Sequence, residues 1–144
     1  MLVDLEVQVE PQFNIEVTLP PEGMRFEKVL PDGPAQVKEV LVNVKTNLGK
    51  PYMVIQKMVS PMTNEKGEEI IPQHFHMKVS LEGSAKGRAA MEDFRQVEAG
   101  DSSIFYSDNQ GSSAAFKAYY RLRGYPEIAP GDYSTSIVYS LSEM

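Results

Sequence analysis

The sequence predicts an all-β, Greek-key β-sandwich of about eight strands. Many short segments alternate between apolar and polar residues, turn signals rich in Pro, Gly and Asn separate them, and no segment has the length and period of an amphipathic helix. Short strands at this spacing are typical of sandwiches and barrels. The long polar connection over residues 60–72 favours the sandwich, because neighbouring strands of an up-and-down barrel usually join through short hairpins.

The alternation also places the strands along the chain. The predicted strands cover residues 2–9, 13–19, 24–30, 37–46, 52–59, 74–81, 102–107, 116–123 and 133–141. The pair 37–46 and 52–59, separated by a turn over 47–51, is the clearest β-hairpin candidate. The segment 88–97 is too short for a stable helix, and we expect an irregular lead-in to a short strand there.

The final strand has the most regular pattern. A Pro130–Gly131 turn precedes a run in which one face is apolar or aromatic and the other carries mainly serine. Such a strand has to bury one face against earlier strands, so its serines and tyrosines are explained by alternation and need no catalytic role.

Length and charge narrow the class of protein. The 144 residues fit one domain with a real core, and the net charge of −6 argues against a binder of duplex nucleic acid or of an anionic membrane surface. No apolar run approaches the roughly 20 residues of a membrane-spanning helix. We therefore expect a single domain over 1–144, with no nucleic-acid partner and no membrane insertion.

The sequence offers little chemistry. It has no cysteine, which excludes disulfides, thiolate zinc sites and cysteine nucleophiles, and it has no phosphate-binding glycine motif and no serine-nucleophile elbow. His74 and His76 share one strand face, but no third metal ligand is identifiable, so we interpret them as exposed polar residues. We expect no catalytic residue, no metal, no cofactor and no enzymatic activity.

Aromatic residues near the C-terminus suggest a ligand surface. Tyr119 lies on the opposite strand face from Tyr120, and the polar loop 108–113 contains side chains that can hydrogen-bond a sugar. Tyr119, Tyr125 and Asn109 are therefore candidate carbohydrate contacts. Core packing and cross-strand pairing of the tyrosines is the other interpretation, and we favour it.

Three segments carry a resemblance to a known family. Residues 130–141, with a Pro-Gly-x-Tyr turn before small hydroxyl residues, 40–54 and 116–122 resemble exported bacterial immunoglobulin-like sandwiches. The pattern is most similar to the pilin-type domains of the spore coat protein U group, which are secreted through chaperone–usher systems. The resemblance implies an immunoglobulin-like fold and a structural or adhesive protein at the cell surface, in the extracellular space or in the periplasm. The absence of cysteine departs from the family, because many such domains carry a disulfide.

The resemblance also implies a role for residues 2–9. In pilins an alternating N-terminal segment completes the sheet of the next subunit by strand addition. That role assigns Leu5, Val7 and Val9 as donor side chains, and it assigns the accepting edge or core to three residues of the last strand: Ile137, Tyr139 and Leu141. The other interpretation makes 2–9 this domain's own first strand, which we favour because an open sheet edge tends to aggregate. The acidic start Met1–Glu6 does not resemble a signal peptide, so a cytosolic chain and a mature exported chain both stay open.

Overall fold

The computed structural model describes residues 1–21 and 23–144. Within that part of the chain it contains nine β-strands and one short 3-10 turn, Pro72–His74. The strands are β1 (Phe13–Thr18), β2 (Gln36–Thr46), β3 (Tyr52–Met58), β4 (Phe75–Leu81), β5 (Arg88–Ala89), β6 (Arg95–Gln96), β7 (Gly100–Tyr106), β8 (Ala114–Leu122) and β9 (Ile137–Glu143). Among the described residues no helix is long and apolar enough to span a bilayer.

The strands form two antiparallel sheets packed face to face. The five-stranded sheet has the order β1-β2-β8-β4-β6, and the four-stranded sheet has the order β5-β7-β3-β9. From β3 onward each strand lies in the opposite sheet to the strand before it. The all-β sandwich predicted from the alternation is confirmed.

The core is made by the inward rows of the central strands. Val40, Val42 and Val44 of β2 are buried, and so are Phe116, Ala118, Tyr120 and Leu122 of β8. The rings of Phe105 and Phe116 stack across the two sheets with centroids 4.9 Å apart. Burial of each valine, leucine or phenylalanine side chain contributes about 1.5–3 kcal/mol to the free energy of unfolding. The period-two alternation of the sequence is therefore the main source of stability.

The predicted hairpin between residues 37–46 and 52–59 is wrong. The two segments are strands β2 and β3, but they lie in different sheets. After the turn the chain joins the four-stranded sheet. The Tyr52 N–H donates to Ser107 Oγ (2.8 Å), and the Ser107 N–H donates to the Tyr52 carbonyl (2.9 Å). Alternation specifies which face of a strand is buried and leaves its hydrogen-bonding partner open.

Three other segments differ from the sequence predictions. Residues 24–30 form a loop, in which Lys28 has a positive φ of 56° that no strand residue adopts. The region 88–97 contributes two strands of two residues each, β5 and β6. The last strand begins at Ile137, because Ser134 pairs with Thr63 in an isolated bridge before β9 starts.

The loop that contains Gly111 packs closely against the turn between β2 and β3, and a comparison of Gly111 with Gly83, which has a similar φ angle, tests this packing. Gly111 has φ +64°, and a Cβ atom there would lie 1.9 Å from the Lys50 carbonyl oxygen; Gly83 has φ +56° and open space around it. We expect Gly83→Ala to cost about 1–2 kcal/mol of unfolding free energy through backbone strain alone. Gly111→Ala should cost at least ~1–3 kcal/mol more, because Lys50 must move. Urea unfolding of both variants measures the difference, and equal losses would contradict the packing shown.

Candidate functional site

Residues 2–9, which we call the donor segment, lie outside both sheets. They form no strand, and the side chains of Leu5, Val7 and Val9 are 87%, 78% and 75% exposed. The expectation that this segment is the domain's own first strand is therefore wrong. Alternation makes a segment suitable for a sheet, but no edge of this domain pairs with it.

Hydrogen bonds to Asn47 hold the base of the donor segment. The Gln12 N–H donates to Asn47 Oδ1 (2.7 Å), and Asn47 Nδ2 donates to the Glu10 carbonyl (2.8 Å). The C-terminal end of the donor segment therefore lies at the end of the sandwich that carries the connection 47–51. Its four odd-numbered apolar side chains lie on one face, if it is extended, and its acidic side chains lie on the other.

The last strand offers a free edge. In the described chain β9 pairs with β3 on one side, and its other edge has no strand partner. Its inward residues Ile137, Tyr139 and Leu141 are half-buried and pack against the core. Val138, on the outward face, is 51% exposed. The edge therefore combines unpaired main-chain groups with a partly covered apolar row.

A hydrogen-bonded group beneath β9 joins the two sheets. Tyr120 of the five-stranded sheet donates its hydroxyl proton to Gln56 Oε1 of the four-stranded sheet, and its oxygen is also hydrogen-bonded to the Tyr139 hydroxyl. Because the single proton of Tyr120 goes to Gln56, the Tyr139 hydroxyl is the donor to Tyr120. Gln56 is only 1% exposed, and this contact satisfies its carbonyl oxygen.

The two sheets separate around a cavity at the end opposite Asn47. Its volume is about 1190 Å³, and Leu19 and loop residues 24–31 and 128–135 line it together with strand residues. Tyr120 and Tyr139 form part of its wall, and Phe26 contacts Phe75 there in an edge-to-face arrangement. The cavity lining combines apolar side chains with tyrosine hydroxyls and with charged loop residues that include Arg25, Glu27 and Asp132.

The outer surface of the five-stranded sheet carries a cluster of cations and aromatic rings. We call this cluster the cationic face; it consists of His76, Lys78, Phe94, Tyr119 and Arg121. The register of β4 and β8 pairs His76 with Arg121 and Lys78 with Tyr119. The Lys78 ammonium lies 5.0 Å from the Phe94 ring centroid and 5.4 Å from that of Tyr119, while the Arg121 guanidinium lies 4.2 Å from Phe94.

The three predicted carbohydrate contacts do not come together. Tyr119 is half-buried on the cationic face, and Asn109 is exposed in the loop that precedes β8. Tyr125 lies beyond the other end of β8 and is 5% exposed. Its hydroxyl accepts from the Ile71 N–H (3.1 Å), and its ring stacks on His74 at 4.5 Å. The expectation that Tyr125 is an exposed contact is wrong, because its position is fixed by the core.

The two histidines point outward from β4 and its lead-in and are half-buried. Burial first, and then the charges of Arg121 and His74, lower the pKa of His76. Within the described residues no three His, Cys, Asp or Glu side chains converge as a metal site.

Several important residues were missed by sequence reasoning. Gln56 occupies an inward position of β3, and a polar residue in such a row is a signal for a buried hydrogen bond. Lys78 and Arg121 occupy outward positions that alternation does predict, but their proximity depends on the pairing of β4 with β8. Phe94 lies in an irregular segment where no pattern indicates its contacts.

The comparisons with known proteins include a likeness to a solved structure. No protein-family model matches the chain, and no curated protein matches it. A solved structure of a family 123 glycoside hydrolase from Clostridium perfringens, studied for glycolipid glycan hydrolysis, is similar over 78% of this chain at 17% identity and a TM-score of 0.43. The match covers 19% of the hydrolase chain.

The hydrolase match contradicts the expectation that this chain is not an enzyme, and we withdraw that expectation. At this TM-score the likeness provides no argument for any residue or reaction of the present chain. The comparisons contain nothing that bears on the resemblance to pilin-type domains.

Because several tyrosines are buried, we predict that the free energy of unfolding decreases at alkaline pH. Burial raises the pKa of Tyr139 to about 12, and burial together with Asp108 raises the pKa of Tyr52 to about 12; burial also raises that of Tyr120. The native state therefore keeps these protons when the unfolded chain, with tyrosine pKa values near 10, has lost them. Stability is fully present below pH ~10 and should fall as pH rises through ~12.

Urea unfolding as a function of pH measures this fall. Tyr139→Phe removes one of the shifted groups, and we expect a shallower decline between pH ~10 and ~12 than in the unmodified chain. Tyr106→Phe is the control, since it removes the hydroxyl of a half-buried tyrosine from the same sheet. An unmodified chain whose stability stays constant across this range would contradict the proposed origin.

Proposed function

We propose that this protein is a β-sandwich subunit that assembles by β-strand addition, with the donor segment of one copy pairing to the free edge of β9 in another. The observation that carries the proposal is the exposure of an alternating apolar segment in a chain that also has an open, partly apolar edge. In such pairing main-chain hydrogen bonds provide affinity and alternate side chains provide register.

The dimensions of the two elements match. The donor segment has eight residues and β9 has seven, so at roughly 3.3 Å per residue the two extend over similar lengths. Pairing would place Leu5, Val7 and Val9 beside the half-buried row of β9. It would also remove from water an apolar surface that otherwise favours aggregation.

The direction of the chain favours a second copy as the donor. The Glu10 end of the segment is tied beside Asn47, and β9 ends at the same end of the sandwich, where the Met144 N–H donates to the Pro51 carbonyl. A segment folded back on its own domain would therefore run parallel to β9. A second copy can approach in the antiparallel direction, which is slightly more stable per residue.

Assembly of this kind suits a structural or adhesive protein located outside the cytoplasm, as the resemblance to pilin-type domains implies. The strand pairing does not depend on that location, and purified protein is sufficient to test it.

Two substitutions in the donor segment add the same charge to opposite faces. We expect Val7→Asp to weaken self-association at least about tenfold, because it places a carboxylate in the apolar row. Gln8→Asp should change it less than about twofold, since that side chain faces solvent. Sedimentation velocity over a concentration series measures both constants. A wild-type chain that stays monomeric at millimolar concentration, or two variants that behave alike, would refute the proposal.

The absence of cysteine makes a disulfide test of direction possible. In the antiparallel arrangement that brings residue 9 beside Ile137, Asp4 lies beside Ser142; in the parallel arrangement Gln8 lies there instead. We expect the double variant Asp4→Cys/Ser142→Cys to form covalent oligomers under mild oxidation. We expect Gln8→Cys/Ser142→Cys to form far fewer.

Non-reducing electrophoresis and mass spectrometry distinguish the products. An intramolecular link, formed mainly by Gln8→Cys/Ser142→Cys, would mean that the segment covers its own β9 and would overturn assembly between copies. Each single variant controls for random collision of exposed thiols.

A further inference from the structure

The cationic face is a second surface that strand addition does not use. It lies on the outer side of the five-stranded sheet, whereas β9 belongs to the four-stranded sheet. Lys78 on β4 and Arg121 on β8 are diagonal neighbours, a relation that places Cβ atoms about 7–8 Å apart or less. His76 completes a group of three side chains that can carry positive charge.

In the part of the chain that the structure describes, Lys78 and Arg121 are contacted by aromatic rings and not by carboxylates. Phe94 contacts both Lys78 and Arg121, and Tyr119 contacts Lys78. Among the described residues neither cation forms a salt bridge, while Lys117 on the same sheet lies 3.6 Å from a Glu39 oxygen and 3.8 Å from a Glu82 oxygen. A cation stacked on a ring keeps its hydrogen-bond donors available, since the ring contacts only the face of the group.

The charge of the rest of the molecule makes this surface distinct. The chain has a net charge of −6, whereas the cationic face brings three cationizable side chains together, with Glu39 of β2 opposite Tyr119 as the acidic residue at its border. Burial first, and then the charges of Arg121 and His74, lower the pKa of the His76 imidazole, while β6 places opposite it Gln96, whose amide donates to Glu98 (2.8 Å). An anion bound here would relieve that repulsion.

We propose that the cationic face binds an acidic saccharide through a uronate carboxylate. The planar guanidinium of Arg121 can bind a carboxylate with two hydrogen bonds, and Lys78 adds a second charge on the same side. The Tyr119 hydroxyl and a His76 nitrogen can exchange hydrogen bonds with sugar hydroxyls. The half-buried rings of Phe94 and Tyr119 provide apolar surface for the C–H face of a sugar ring.

A saccharide fits this surface better than a nucleic acid. Binding of a phosphate backbone requires a basic surface that displaces many counterions, and this chain is acidic outside a small cluster. A uronate presents one carboxylate on each ring together with neutral hydroxyls, which matches a small group of cations flanked by polar and aromatic side chains.

Calorimetry with a short oligogalacturonate tests the proposal directly. We expect binding that is at least about tenfold tighter than that of the methyl-esterified oligomer, which has the same skeleton without the charge. Equal binding of both forms would overturn the proposal. So would tighter binding of an oligothymidylate, which would indicate a site for single-stranded nucleic acid.

A matched pair of variants locates the site. Arg121→Gln should weaken binding of the oligogalacturonate at least about tenfold, and Arg121→Lys should recover part of it. Lys45→Gln removes the same charge from the same sheet, but lies eight residues further along the register, about 25 Å from the level of Arg121. Equal effects of Arg121→Gln and Lys45→Gln would show that only overall charge matters and would refute the site.

The His76 ring gives a readout that does not depend on affinity. Titration by NMR should show a higher pKa for His76 in the presence of saturating oligogalacturonate than in its absence, because a nearby carboxylate favours the imidazolium. An unchanged His76 titration with bound saccharide would place the ligand elsewhere and contradict the proposal. Melting temperatures of all variants confirm that the sandwich is intact.

Discussion

The hydrogen bonds among Tyr120, Gln56 and Tyr139 set the relation between the two sheets. Tyr120 belongs to the five-stranded sheet and the other two residues to the four-stranded sheet, so the group fixes an edge strand against the opposite layer. A buried glutamine left unpaired would cost roughly 1–3 kcal/mol, which restricts the arrangements that the core can adopt. The position of β9, and therefore of its free edge, follows from this constraint.

The sequence predicts the faces of the strands well and their partners poorly. Alternation correctly indicates that Val40 and Val42 point inward, and it correctly indicates a final strand that contains Tyr139. It does not indicate that β2 and β3 lie in different sheets, because the same pattern suits either layer. The decisive contacts, Tyr52 with Ser107 and Gly111 with Lys50, join residues that are more than 50 positions apart.

The candidate sites show the same division. The outward positions of Lys78 and Arg121 follow from alternation, but their proximity follows from the pairing of β4 with β8, and Phe94 reaches them from an irregular segment. The donor segment is the opposite case: its pattern predicts a strand, yet it forms none, and the hydrogen bonds of Asn47 hold its base at an end of the sandwich. The alternation within a segment does not indicate how hydrogen bonds to a distant loop position that segment.

Strand addition at β9 and saccharide binding at the cationic face are compatible because they use different sheets. Addition to β9 extends the four-stranded sheet within its own layer and leaves the outer side of the five-stranded sheet uncovered. Each added copy then brings one more cationic face to the assembly. Because a tethered second contact forms at a high effective concentration, a repeating acidic saccharide would be held by several individually weak sites. Assembly would thereby convert a small cluster of three cationizable groups, too few for tight binding alone, into an extended surface for a polymer.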